Sequence, residues 1–318
     1  MIEYIRKIKE ISRQVLADCK VDMVIGFRKG TLPMMNEPCV ARTAADVDAF
    51  VWDGHCGQNL ANYLTGRKEK IGIVAKGCDS RNIVTHIVEN KIRRDQVYII
   101  GVPCKGMIDR RSVSALGEAI HTVVDQGDTV KVAGTGFEKE IPRADLLQNN
   151  CTTCMHRNPV LYDTLVGEPV AEKTDSDPDF DPWADVKRIE SMAPDEKYGY
   201  FDDLLKECIR CYACRNACPL CYCPTCFVDE SMPQWVGKGQ DPVDVRTFHF
   251  LRAYHCAGRC TDCGACARAC PMGINMRVFT RKLEKDCYDR YAWEAGLTLD
   301  VRPPLDTYRA DDPEEFIK

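Results

Sequence analysis

The residues whose types and spacing promise chemistry are cysteines. Cys208-Ile-Arg-Cys211-Tyr-Ala-Cys214-Arg-Asn-Ala-Cys218-Pro219 and Cys260-Thr-Asp-Cys263-Gly-Ala-Cys266-Ala-Arg-Ala-Cys270-Pro271 both read C-x2-C-x2-C-x3-C-P. In that pattern three closely spaced thiolates take three corners of a [4Fe-4S] cube, and the fourth cysteine reaches the other cube. The spacing therefore predicts one cluster on Cys208, Cys211, Cys214 and Cys270, and a second on Cys260, Cys263, Cys266 and Cys218. Structural zinc is the competing chemistry. It needs only two C-x2-C units and accounts for neither the third cysteine nor the two prolines.

Four more cysteines are expected to converge through the fold. Short apolar runs at Met23-Val24-Ile25, Ala49-Phe50-Val51-Trp52, Ile71-Gly72-Ile73-Val74 and Val97-Tyr98-Ile99-Ile100 read as buried strands. Helix-like stretches near Asn59–Leu64 and Ile83–Lys91 lie between them. Alternation of this kind predicts an α/β unit with a largely parallel sheet. Cys78 and Cys104 fall just past the ends of two of these strands, at the sheet edge where such folds place ligands. Cys151-Thr-Thr-Cys154 follows. A third [4Fe-4S] cluster on Cys78, Cys104, Cys151 and Cys154 is expected, with Cys56 as a substitute ligand. The alternative is that Cys78 and Cys104 pack as small hydrophobes and Cys151 and Cys154 bind zinc or nothing.

Cys221, Cys223, Cys226 and Cys256 are four further thiols for a fourth cluster or a zinc, although packing beside the two main clusters is the favoured reading. Cys19, Cys39 and Cys287 stand alone and read as structural. Arg210, Arg252 and Arg259 lie beside the motifs. They read either as charge balance for the clusters or as a solvated face.

The chain of 318 residues suffices for two domains. Residues 1–167 are expected to form the α/β domain, opening on an amphipathic helix with Ile5, Ile8, Ile11 and Val15 on one stripe. Residues 168–196, acidic and proline-bearing, read as a linker. Residues 197–296 read as an all-α dicluster ferredoxin domain. Helices are expected at Tyr198–Lys206, Val243–Ala253 and 273–293, the last with Met276, Phe279, Leu283 and Tyr288 near one side. Residues 297–318 read as a tail, frayed or laid over a partner. Twenty cysteines without a signal peptide predict metal ligands in a reducing cytoplasm rather than disulfides, and suggest an anaerobe. A net charge of −5 argues against nucleic acid, and no apolar run approaches a membrane span. Gly134-Thr-Gly136 lacks the third glycine of a dinucleotide fingerprint, and there is no Walker loop.

Two resemblances have residues behind them. Cys208–Leu283 resembles the α-helical dicluster ferredoxin domains of heterodisulfide reductase small subunits and of succinate dehydrogenase and fumarate reductase iron–sulfur subunits. It differs from the latter group in keeping all four cysteines in both motifs. Residues 20–165 resemble the α/β part of the beta subunits of deazaflavin-dependent hydrogenases and formate dehydrogenases. The resemblance is carried by Lys76-Gly-Cys-Asp-Ser-Arg81, Gly101-Val-Pro-Cys104 and Cys151-x2-Cys154. It implies a cluster, often with FAD beside it. The expected function is an iron–sulfur electron-transfer subunit of a multi-subunit oxidoreductase, with flavin- or metal-bearing partner subunits. The alternative is a FAD-containing beta-type subunit acting on a deazaflavin or nicotinamide cofactor, a phosphate approaching the backbone at Gly77 and at Gly101 to Gly106.

Overall fold

The structure, a computed structural model, describes residues 2–306. The last part of the expected tail, residues 307–318, lies outside the described residues. The chain opens with α1 (Ile2–Ala17). Its apolar stripe turns inward: Ile8 and Val15 are buried, and Ile5 and Ile11 pack partly against the same core.

Five strands make the first sheet: β1 (Met23–Lys29), β2 (Asn36–Ala41), β3 (Ile71–Ala75), β4 (Val97–Gly101) and, late in the chain, a short strand at Thr164–Leu165. Its order is β2, β1, β3, β4, then the short strand. All neighbours run parallel except β2, which is an antiparallel edge. β3 is buried along its whole length, as a β-branched run covered on both faces should be. The expected strand at Ala49–Trp52 is absent. Ala49 ends a 3-10 turn (Asp46–Ala49), and Phe50 makes a single bridge to Arg28. Its apolar residues are core side chains on a loop: Phe50 is buried and Trp52 lies edge-on to Phe27. The stretch near Asn59–Leu64 is likewise one 3-10 turn, Leu60–Tyr63.

α2 (Gly77–Val88) follows β3 directly, so Cys78 sits in its first turn. A short helix α3 (Arg110–Ser114) then leads to β5 (Thr122–Asp125), β6 (Thr129–Gly134) and β7 (Phe137–Pro142). These form a separate antiparallel sheet that the strand alternation did not predict. Gly134-Thr-Gly136 is the tight turn between β6 and β7, with Gly136 at φ 75°, rather than part of a nucleotide loop. α4 (Asn149–Thr152) carries Cys151, and the short strand at Thr164–Leu165, β8, closes the first sheet.

Beyond β8 the described residues contain helices and loops and no strand: α5 (Ala184–Glu190), α6 (Pro194–Leu205), α7 (Ala213–Asn216), α8 (Pro242–Tyr254), α9 (Ala265–Ala269) and α10 (Arg277–Tyr291). Their core is aromatic. Phe201 and Phe250 pack on Phe279, and Tyr212 and Phe227 pack on Phe248.

The two parts meet along α2, whose face is polar yet buried. The Asn82 amide donates to Thr261 Oγ1 at 2.7 Å and to the Cys78 carbonyl at 2.9 Å. His86 Nε2 lies 2.8 Å from the Pro219 carbonyl. Arg81 donates to the Ala295 carbonyl at 2.8 Å, and Arg259 Nη2 reaches Glu89 Oε2 at 2.8 Å.

Arg143 performs a similar task for the loop that carries Cys104. It pairs with Asp125 at 3.1 Å and donates to the carbonyls of Lys105 (2.7 Å) and Gly106 (2.6 Å). Both partners of the pair are buried, with side chains 9% and 3% exposed. Arg143→Ala strands a buried carboxylate, and we expect a loss of about 3–5 kcal/mol in chemical unfolding. A loss below about 1 kcal/mol, the range of an exposed pair, would contradict this account of the loop.

Candidate metal centres

The first predicted thiol set is assembled around one small cavity, lined by Cys208, Cys211, Cys214 and Cys270. Cys208 follows the end of α6, its N–H bonded to the Leu205 carbonyl at 2.9 Å. Cys214 is in α7, and Cys270 caps α9. The loop between them is bent by two left-handed residues, Arg210 (φ 48°) and Tyr212 (φ 59°), on either side of Cys211. The second motif repeats the device around Cys263, with Asp262 (φ 50°) and Gly264 (φ 69°). A non-glycine residue held there costs about 1–2 kcal/mol, so the surroundings impose the bend. The Arg210 side chain, for one, is clamped by the carbonyls of Gly237 (2.6 Å) and Gly239 (2.5 Å). The backbone N–H of Arg210 faces the sulfur of Cys208.

In the second set, Cys218 faces Cys263 and Cys266. Cys260 lies beside Cys263 and the half-buried Glu284. Cys218 also hydrogen-bonds two extra thiols, Cys221 and Cys256, and these bonds hold its pKa well below the ordinary thiol range. Cys223 is exposed, and Cys226 contacts Arg215 instead. Of the four additional cysteines, Cys221 and Cys256 are thus the two placed beside Cys218.

The third set shares a wall with the second. One cavity of about 80 Å³ is lined by Cys78, Cys104, Cys151 and Cys154, and Cys260 and Cys263 face the same space. Two backbone N–H groups point at sulfurs here, Gly106 to Cys104 and Met107 to Cys151, each at 3.3 Å. Gly77 lets the loop after Cys154 close over α2: a Cβ there would sit 2.4 Å from the His156 carbonyl. Gly101 and Gly106 are filled the same way, by Tyr162 and Leu147. These glycines admit the chain's own atoms where the flavin reading expected an approaching phosphate. Cys56 lies elsewhere, buried in the sheet core with the Asn36 amide 3.3 Å from its sulfur.

Burial governs the electrostatics of these thiols. It pushes Cys214, Cys104 and Cys154 to about 11, and Cys263 to about 12. Buried thiols of this kind give up their protons when a metal takes their place. Compensating charge is already built in. Arg252, only 3% exposed, lies among Cys266, Cys218, Cys256 and Cys214. Burial opposes its charge, but the four thiols together hold its pKa well above the ordinary value. Arg210 is also buried, so neither residue belongs to a solvated face. Lys76 is buried too, paired with Asp79 at 2.7 Å, and it anchors the start of α2. Soft thiolates, inward N–H donors and buried cations suit an anionic iron–sulfur cluster. Among the described residues no group of three His, Cys, Asp or Glu side chains is placed to hold a single metal ion.

Sequence reading missed His249. Its Nε2 lies 3.3 Å from Cys208 Sγ, and burial, with Arg252 and Arg210 nearby, pushes its pKa down to about 3. The signal was available in the register of α8. Val245, Phe248, His249, Arg252 and Cys256 recur at helical spacing, so two polar residues lie on its buried stripe.

Comparison with known proteins bears on this geometry. The 4Fe-4S dicluster domain family matches residues 204–274. The chain is 25% identical over 344 residues to the F420-dependent formate dehydrogenase subunit beta of Methanocaldococcus jannaschii, covering 90% of this chain and 89% of that one. It is also 25% identical over 348 residues to the F420-dependent formate dehydrogenase 1 subunit beta of Methanococcus maripaludis, with the same coverage of 90% and 89%. Among solved structures, a chain of the F420-reducing [NiFe] hydrogenase complex of Methanosarcina barkeri aligns at 16% identity and a TM-score of 0.37. That alignment covers 47% of this chain and 58% of the other, less than two thirds of its length. Residues 204–274 are thus a 4Fe-4S dicluster domain, in a chain similar over most of its length to beta subunits of F420-dependent formate dehydrogenases.

Proposed function

We propose that the chain is an iron–sulfur electron-transfer subunit of a multi-subunit oxidoreductase. Its ligands are Cys208, Cys211, Cys214 and Cys270 for one [4Fe-4S] cluster, and Cys260, Cys263, Cys266 and Cys218 for a second. Cys78, Cys104, Cys151 and Cys154 hold a third. The first two belong to an α-helical dicluster unit over 197–296, and the third to the α/β unit over 1–167. The observation that carries this reading is the shared cavity, in which Cys78 and Cys104 from the sheet edge and Cys151 and Cys154 from α4 and the loop after it face Cys260 and Cys263. When bound, each cluster takes up and returns one electron. The chain's own residues hold the thiolates in place, exclude water from the buried sulfurs and balance their charge. Among the described residues no helix is long and apolar enough to cross a membrane.

A second reading is favoured by the relatives, which are beta subunits of F420-dependent formate dehydrogenases. In it the chain also binds FAD and passes electrons to or from a deazaflavin. Metal and flavin analysis of anaerobically purified native protein separates the two readings. About twelve irons are expected. Flavin near one per chain would favour the second reading, whereas about eight irons would remove the third cluster.

Two substitutions test the ligand sets individually. Cys211→Ser is expected to remove or degrade one cluster, about four irons, with residues 1–165 still folded by circular dichroism and limited proteolysis. Cys78→Ser should cost a different cluster and leave the EPR signals of the other two. Full iron content in either variant would refute that residue's assignment.

A further inference from the structure

We propose that His249 sets the reduction potential of the first cluster by donating an Nε2–H···S hydrogen bond to Cys208. The inference rests on the ligand assignment above. His249 is 1% exposed, and its Nε2 stands 3.3 Å from Cys208 Sγ. The ring has little freedom. Phe279 stacks on it at 5.7 Å and 20°, and Phe248 lies against it at 4.7 Å and 59°. Val245 and Arg252, on the same buried stripe of α8, fix the helix face that carries it.

The tautomer follows from the hydrogen bonds. His249 Nδ1 is buried and has no partner among the described residues. A neutral imidazole carries one N–H. On Nδ1 that N–H would be an orphan donor in an aromatic core, and the Nε2 lone pair would face an electron-rich sulfur. On Nε2 the N–H points at the sulfur, and only a lone pair goes unmatched. Orphaned buried N–H groups are the rarer and costlier case. A thiolate bound to iron has no proton to offer, so Nε2 must be the donor there.

The effect on the cluster has a definite sign. A hydrogen bond to sulfur draws electron density from the thiolate and favours the more negative, reduced cluster, which raises the potential. Partners of this kind also orient the ligand they touch. The second thiol set has a different partner, since the Arg252 side chain bonds Cys266. Arg252 also lies beside Cys214 of the first set, so the neutral His249 donor is what the first set adds to a shared cation, and it gives two clusters with the same ligands different potentials.

The test is an EPR-monitored redox titration of the purified full chain. His249→Phe keeps a ring of similar shape and removes the donor, whereas His249→Gln keeps an N–H. We expect His249→Phe to retain its iron and shift one midpoint to a more negative value, the other midpoints staying fixed. His249→Gln should recover much of that shift. Retained iron with unchanged midpoints in His249→Phe would overturn the inference and leave the ligand assignment standing. Full iron in Cys208→Ser would overturn the assignment itself, and the inference with it. If His249→Phe loses iron, pulsed EPR of the reduced wild-type chain labelled with ¹⁵N-histidine decides. A histidine nitrogen coupled to the first cluster supports the hydrogen bond, and no such coupling refutes it.

Discussion

The structure depends on matching a buried polar helix face with partners from the rest of the chain. α2 turns Asp79, Ser80, Asn82 and His86 into the interior, all of them buried. Buried polar groups left unpaired cost about 1–3 kcal/mol each, so α2 constrains whatever covers it. Ser80 finds the Leu161 carbonyl, Asn82 finds Thr261 and His86 finds the carbonyl of Pro219. Two of these partners lie within the cysteine motifs. The helix that carries Cys78 in its first turn thus fixes how far the other thiols stand from it, and polar matching does what a flat apolar interface would do less specifically.

Charge is arranged with similar economy. All the thiols of the three sets except Cys211 are buried or half-buried, where a lone anion would be expensive. Arg252 and Lys76 are buried among or beside them, and Lys76 is itself held by Asp79. Arg277 and Arg281 form a further buried pair around Asp262, in the second motif, with Arg277 Nε 2.6 Å from its carboxylate. That contact secures one of the left-handed residues the loop requires. The cations therefore position the backbone as well as balance charge.

Much of the site was legible because its information is local. The C-x2-C-x2-C-x3-C-P spacing encodes a loop without reference to the rest of the chain, and Cys208, Cys211, Cys214 and Cys270 do line one cavity. The placement of Cys78 and Cys104 was legible by a topological rule, since parallel strands present their ends along one edge; Cys151 and Cys154, which line the same cavity, come from α4 and the loop after it. The rest depends on tertiary context. Phe50 and Trp52 look like strand residues but fill the core from a loop, because apolar content reports burial before it reports conformation. In the sheet of β5, β6 and β7 only β6 alternates, and most of β7 is charged or exposed. His249 carries no motif. Only the packing of α8 against the cysteine loop shows what it touches.

The repeated bend in the two motifs differs at one position. The first loop places Tyr212 in the left-handed conformation after its middle cysteine, and the second places Gly264 there. A Cβ on Gly264 would fall 2.3 Å from Asn150 Oδ1, a residue of the sheet-bearing part. The second loop is bare because its own chain is pressed against it. Cys211, in the first loop, is exposed. Two halves built on the same local pattern are thereby made unequivalent, one facing inward and the other facing solvent. The molecule has a direction: a closed end among its own strands and an end whose Cys211 is open to solvent.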